Sequence, residues 1–193
     1  LCLCRLVPYK RVDVVVEAFN RLGLPLKVVG DGPERQRLER LAGPTVEILG
    51  RQSPERVETL LGRCRAFVYA GLEDFGIAPV EAMASGAPVI GLGRGGLLDS
   101  VRCAASGASE PTGVLFPEQT AASVVEAVTW FEQRQLWRDL APESLRLWAE
   151  QFSPEAFSRR LERLVLAAWQ DHTRTCAVEA SDPAGLPGLR RCD

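Results

Sequence analysis

Apolar residues fall into six short, nearly unbroken runs: Leu1–Cys4, Leu26–Gly30, Val46–Gly50, Ala66–Ala70, Ala87–Gly91 and Val114–Phe116. Short apolar runs bounded by turn residues read as buried strands. Between them the pattern changes to helical spacing. Val12, Val15, Val16, Phe19 and Leu22 mark one helix, and Leu38 and Leu41 another. Val57, Leu60 and Leu61 mark a third, and Val124, Val125, Val128 and Phe131 a fourth. Strands alternating with helices predict an α/β chain, a Rossmann-like parallel sheet of about six strands with helices on both faces.

Turn and cap residues punctuate this pattern. Asp31-Gly-Pro33 turns the second strand into its helix, and Ser53-Pro54 caps the next. Trp137 to Glu150 reads as helical, divided near its start by Pro142. Ser153-Pro154-Glu155 opens a final helix with Phe157, Leu161, Leu164, Val165 and Ala168 on one face. Asp171 to Asp193, with Pro183, Gly185, Pro187 and Gly188, shows no period, so a folded domain over 1–170 and a disordered tail over 171–193 are expected.

The central unit runs from Ala66 to Gly91: strand, loop, helix, strand. Pro79 suits the first turn of a helix, which predicts helix from Val80 to Ser85 and a stop at Gly86. Free N–H groups from Gly76 to Val80 would then make a site for a phosphate. Glu73 falls in the loop and Glu81 in the expected first turn, with seven residues between them. A carboxylate repels a phosphate but accepts hydrogen bonds from sugar hydroxyls. The alternative is that Glu81 favours the helix dipole and Glu73 is solvated. Arg5 and Lys10 follow the first strand, where open α/β sheets bind ligands, and suit the clasp of a diphosphate. Two basic loop residues can equally be solvated.

Composition narrows the partners. A formal charge of −2 over 193 residues leaves no basic footprint for nucleic acid, and no apolar run has the length of a membrane span. Of six cysteines, Cys2 and Cys4 share one face of a strand, poor spacing for a metal site in a chain with the single His172, so no metal is expected. Buried free thiols favour a reducing cytoplasm. Leu1 opens directly in a strand-like run, which suggests a piece of a longer chain. No internal repeat is found.

Glu73-Asp-Phe-Gly-Ile-Ala-Pro-Val-Glu81, followed by Ala-Met-Ala-Ser-Gly-Ala-Pro-Val-Ile, resembles the E-x7-E signature of retaining glycosyltransferases of family 4. There it lies in the C-terminal, nucleotide-sugar-binding half of the GT-B fold, and the resemblance runs from Leu1 to about Trp169. It implies that Arg5 and Lys10, which match the family's G-R-L-x-x-x-K segment, stabilise the leaving diphosphate. The family's Gly before that Arg is Cys4 here, whose β-carbon would narrow the approach. It places Glu73 on the transferred sugar and Glu81 on the ribose, and Phe75, Gly76, Ile77, Ala78 and Val80 around the donor. Arg51, with Gly50 and Gln52, would lie beside the base, a solvated loop being the alternative. Close approach to the donor or a tight turn would each explain Gly95 and Gly96. The terminal helix would cross back to an N-terminal GT-B domain.

The resemblance implies no cofactor beyond a nucleotide-diphosphate sugar. The wording FGIAPVEAMASG is most similar to bacterial mannosyltransferases of polysaccharide assembly, which makes GDP-mannose the first donor to expect. The acceptor would be a glycan or lipid-linked sugar, met in the cytoplasm or at the inner face of the membrane. Two rivals stand beside this reading. Nucleotide-sugar 2-epimerases share the fold, although the E-x7-E stretch argues against them, and a lone donor half could be a sensor without activity.

Overall fold

The computed structural model describes residues 1–181 and divides into a compact unit, Leu1–Glu150, and a second beginning at Gln151. The first unit holds strands β1 (Cys2–Leu3), β2 (Leu26–Val29), β3 (Val46–Gly50), β4 (Phe67–Tyr69), β5 (Val89–Leu92) and β6 (Gly113–Phe116). It also holds helices α1 (Val12–Leu22), α2 (Arg35–Leu41), α3 (Pro54–Arg63), α4 (Ile77–Ala84), α5 (Leu97–Ser100), α6 (Ala121–Gln133), α7 (Leu136–Asp139) and α8 (Pro142–Glu150). The second unit carries α9 (Pro154–Ser181).

All six strands are parallel, in two three-stranded sheets, β1-β2-β3 and β4-β5-β6, rather than one continuous ladder. The break follows from the shortness of β1, two residues. Leu1 nevertheless stitches the sheets together: its nitrogen donates to the Ala66 carbonyl at 3.0 Å and its carbonyl accepts from Val68 N at 2.8 Å. The strands therefore lie in the order β3-β2-β1-β4-β5-β6, the doubly wound order whose direction reverses between β1 and β4.

Side chains alternate across each strand, and the alternation builds two cores. Val68, Ile90, Leu92, Val114 and Phe116 face one core with α1 and α6, through Val12, Val15, Val16, Phe19, Val124, Val128 and Phe131. Phe67, Tyr69 and Val89 face the other, with Leu61, Ala82, Met83, Leu97, Leu145 and Ala149 from α3, α4, α5 and α8. Each fully buried Phe or Leu contributes about 1.5–3 kcal/mol, so both faces of the sheet are needed to hold it. Caps fix where helices begin: Ser53 Oγ accepts from Arg56 N at 3.3 Å, and Thr120 Oγ1 accepts from Ser123 N at 3.2 Å.

Two boundaries differ from the sequence reading, the start of α4 and the end of α9. α4 begins at Ile77, not Val80, because Gly76 takes a left-handed conformation (φ +87°) that ends the loop there. Pro79 is still accommodated, as the third residue of the first turn, where no intrahelical partner awaits its nitrogen. The stretch from Trp137 is divided near its start as expected, α7 ending at Asp139 and Pro142 opening α8. α9 runs on to Ser181, past residue 171 where a tail is expected. Residues 171–181 hold neither Gly nor Pro, and the first breaker is Pro183. The rest of that expected tail, 182–193, lies outside the described residues.

Cys2, Cys4, Cys64 and Cys103 are free thiols, Cys2 buried and the others half-buried. Cys192 and the side chain of Cys176 lie outside the description. No helix among the described residues is long and apolar enough to cross a membrane.

Candidate functional site

Where strand order reverses, the loops after the two central strands diverge and leave a crevice at their C-terminal ends. Here those are the loops after β1 and β4, which carry Arg5 and Lys10 on one side and Glu73 on the other. After β1 the chain makes one 3₁₀ turn, Pro8–Lys10, then turns into α1 through Arg11 in the left-handed region (φ 49°). Lys10 Nζ donates to Tyr69 Oη at 2.9 Å and to Glu73 Oε1. Tyr69 Oη in turn donates to Glu73 Oε1 at 2.6 Å. The ammonium also lies 5.1 Å from the centre of the Tyr9 ring, within cation–π range.

The three side chains form a half-buried cluster, with Lys10 14% and Glu73 22% exposed. Burial pulls the Lys10 pKa below its ordinary value. Burial likewise pushes the Tyr69 phenol up, so it remains a protonated donor. The nearby Cys4 thiol is raised by its hydrogen bond with Cys2 and by burial, and stays neutral. Cys4 packs on the edges of both cores.

The loop bearing Glu73 is clamped from two sides. Gly96 N donates to the Glu73 carbonyl at 2.8 Å, and Gln119 Nε2 donates to the Ala70 carbonyl at 2.7 Å. A Cβ on Gly95 would meet Glu73 O at 2.3 Å, and one on Gly96 would meet Asp74 O at 2.4 Å. The close approach these glycines permit is therefore to the Glu73 loop itself.

The loop ends at the N-terminus of α4. No acceptor among the described residues is engaged by the N–H groups of Gly76, Ile77 and Ala78. Those donors and the dipole of the eight-residue helix suit an anion.

The structure thus joins Lys10 to Glu73 and leaves the other sequence-predicted residues apart from that contact. Arg5 is exposed on the loop after β1. Glu81 is exposed and is the fifth residue of α4, in its second turn and not its first, a consequence of the earlier helix start. Phe75 and Ile77 are exposed, and Ala78 and Val80 half-buried. Arg51 is exposed after β3, the outer strand of its sheet and two strands from β1. Tyr69 is absent from the sequence-predicted set, having been read only as part of an apolar strand. Its signal is chemical: a phenol at the end of a buried strand must find a hydrogen-bond partner. Gln119 was missed too, with no signal in its surroundings.

A cavity of about 560 Å³, lined by Leu1, Phe19, Leu24, Pro25, Ala66 and Phe131 among others, opens at the opposite ends of the strands and shares no residue with this cluster. Among the described residues no three His, Cys, Asp or Glu side chains gather to hold a metal ion.

Residues 1–151 match the family described as Glycosyl transferases group 1. The chain is 29% identical over 164 residues to the human alpha-1,3/1,6-mannosyltransferase, covering 81% of this chain and 37% of that protein. It is 35% identical over 98 residues to a GDP-mannose-dependent alpha-mannosyltransferase of Corynebacterium glutamicum, covering 50% of this chain and 24% of that one. The chain therefore spans between about a quarter and somewhat over a third of the length of these relatives. In structure it is similar to a sucrose-phosphate synthase of Thermosynechococcus elongatus (TM-score 0.72, 25% identity, 88% of this chain and 45% of that one). It is also similar in fold to the Anabaena protein HepE, solved with UDP and glucose (TM-score 0.69, 18% identity, 86% of this chain and 47% of that one).

Proposed function

This chain belongs to the glycosyl transferases group 1 family, and from that premise we propose that it is the donor-binding half of a retaining, family 4 glycosyltransferase. In this reading the donor-binding domain is 1–170, and the whole enzyme moves a sugar from a nucleotide diphosphate to an acceptor hydroxyl. The observation that carries it is the meeting of Lys10 and Glu73 at the reversal of strand order, beside the unengaged amides that open α4. One cation and one helix N-terminus suit a diphosphate, and one carboxylate beside them suits sugar hydroxyls.

Arg5 and Lys10 stabilise the charge that grows on the departing diphosphate, and the amides from Gly76 to Ala78 support the same phosphates. Glu73 holds the transferred sugar and Glu81 the ribose, with Arg51 toward the base. Mannose is the donor sugar that the two mannosyltransferase relatives favour, and GDP the carrier that the Corynebacterium relative favours. The acceptor is a glycan or lipid-linked sugar of polysaccharide assembly, met at the cytoplasmic face of a membrane. Acceptor positioning and exclusion of water need an N-terminal GT-B domain. The exposed Phe157, Leu161, Leu164 and Trp169 of α9 support docking of such a domain.

The test is calorimetry with GDP and GDP-mannose, and with UDP and UDP-glucose, followed by product analysis. The chain alone should bind donor and transfer nothing. Robust transfer by this chain would refute the half-enzyme reading, and an epimerised donor would make it an epimerase. Glu81→Gln should weaken nucleoside diphosphate and nucleotide sugar alike. Glu73→Gln should weaken the nucleotide sugar alone, by about tenfold or more. Asp74→Asn, exposed and next door, should change neither. Equal losses of both ligands from Glu73→Gln and Asp74→Asn would show that only loop charge matters.

A further inference from the structure

Tyr69 sits at the one place where the cation and the carboxylate of the site meet. It is the last residue of β4, is 3% exposed, and its ring stacks on Phe67 with centroids 6.1 Å apart and planes inclined by 17°. The ring is therefore held by the sheet and the core beneath it, and only the hydroxyl reaches the crevice. A phenol has one proton to give and lone pairs to accept with. Here the proton goes to Glu73 Oε1 at 2.6 Å, and Lys10 Nζ lies 2.9 Å from the same phenol oxygen.

We propose that Tyr69 is a positioning residue for donor binding, its hydroxyl fixing Lys10 and Glu73 in one arrangement that serves the two ends of a nucleotide sugar. The inference rests on the donor-site reading above. An ammonium has three protons, and Tyr69 and Glu73 lie on the same side of it, which leaves its other side for a phosphate oxygen. Tyr69 and Lys10 both converge on Oε1 of Glu73, so the carboxylate is oriented through one oxygen and Oε2 is kept for a sugar hydroxyl. Without the hydroxyl, a flexible lysine and a loop glutamate would pair in many geometries, and the ligand would have to order them at the cost of affinity. Because the bonds run through Glu73, the sugar end of the ligand should feel the loss most.

Tyr69→Phe removes the hydroxyl and keeps the ring. The chain, Tyr69→Phe, Glu73→Gln and the double variant are titrated with GDP and GDP-mannose, and with UDP and UDP-glucose, and each is melted. Tyr69→Phe should weaken the nucleotide sugar about tenfold and the nucleoside diphosphate far less, with little change in melting temperature. In the Glu73→Gln background the same change should cost much less, since the residue it acts through is already altered. Wild-type affinity of Tyr69→Phe for both ligands overturns the proposal. So does an equal loss of both ligands with a lower melting temperature, the mark of a merely structural ring. If Glu73→Gln separates the two ligands and Tyr69→Phe does not, only the role of Tyr69 falls. If the unaltered chain binds neither nucleotide pair, the donor-site reading falls and Tyr69 with it.

Discussion

Gly96→Ala is the most direct probe of how the Glu73 loop is held. Gly96 has φ −62°, a conformation alanine adopts freely, so backbone strain plays no part and the effect is one of contact alone. The new methyl group would lie 2.4 Å from the Asp74 carbonyl oxygen and 2.5 Å from the Phe75 Cα. Carbon atoms rest about 3.5–4.0 Å apart, so the loop must retreat by roughly 1 Å. Overpacking of this kind costs about 1–3 kcal/mol. The retreat would also stretch the 2.8 Å bond from Gly96 N to the Glu73 carbonyl and draw the carboxylate away from Tyr69. Hydrogen bonds to a charged group are worth about 1.5–3 kcal/mol, so affinity for the nucleotide sugar should fall about tenfold to a hundredfold. Affinity for the nucleoside diphosphate should fall less. Urea denaturation reads the first effect and calorimetry the second. A Gly96→Ala chain that unfolds and binds like the wild type would refute the clamp.

Gly62→Ala, on an exposed turn of α3 with open space around the added methyl, should stabilise the chain by about 0.5–1 kcal/mol, measurable in the same denaturation series. Lys10→Ala and Arg5→Ala should each weaken nucleoside diphosphate about tenfold to a hundredfold and leave the nucleoside unchanged in calorimetry. Equal losses for both ligands would remove the diphosphate role. Trp148→Phe should destabilise by about 1–2 kcal/mol in urea, because the indole donates to the Ser100 carbonyl at 2.7 Å and underlies the Arg102 guanidinium at 4.0 Å from its centre.

Strand and helix identities were legible in the chain because each depends on a period that short stretches of sequence carry. The apolar run Ala66–Ala70 and the stripe Val12–Leu22 can be buried in few other ways, and both became the elements expected of them. The candidate residues were legible as types: a cation pair after the first strand, and two carboxylates flanking a helix start. Their mutual placement was not, because contact between Lys10 and Glu73 spans 63 positions and exists only once β1 and β4 lie side by side. Helix starts were less legible than helices. The position of Glu81 in the second turn of α4 was decided by the left-handed backbone at Gly76, while Pro79 permits several starts within the first turn. Tyr69 shows the limit most plainly. In the sequence it is one more large residue in a buried strand. Only tertiary structure brings an ammonium and a carboxylate to its hydroxyl, because a hydrogen bond depends on distance and direction and neither is written in local pattern.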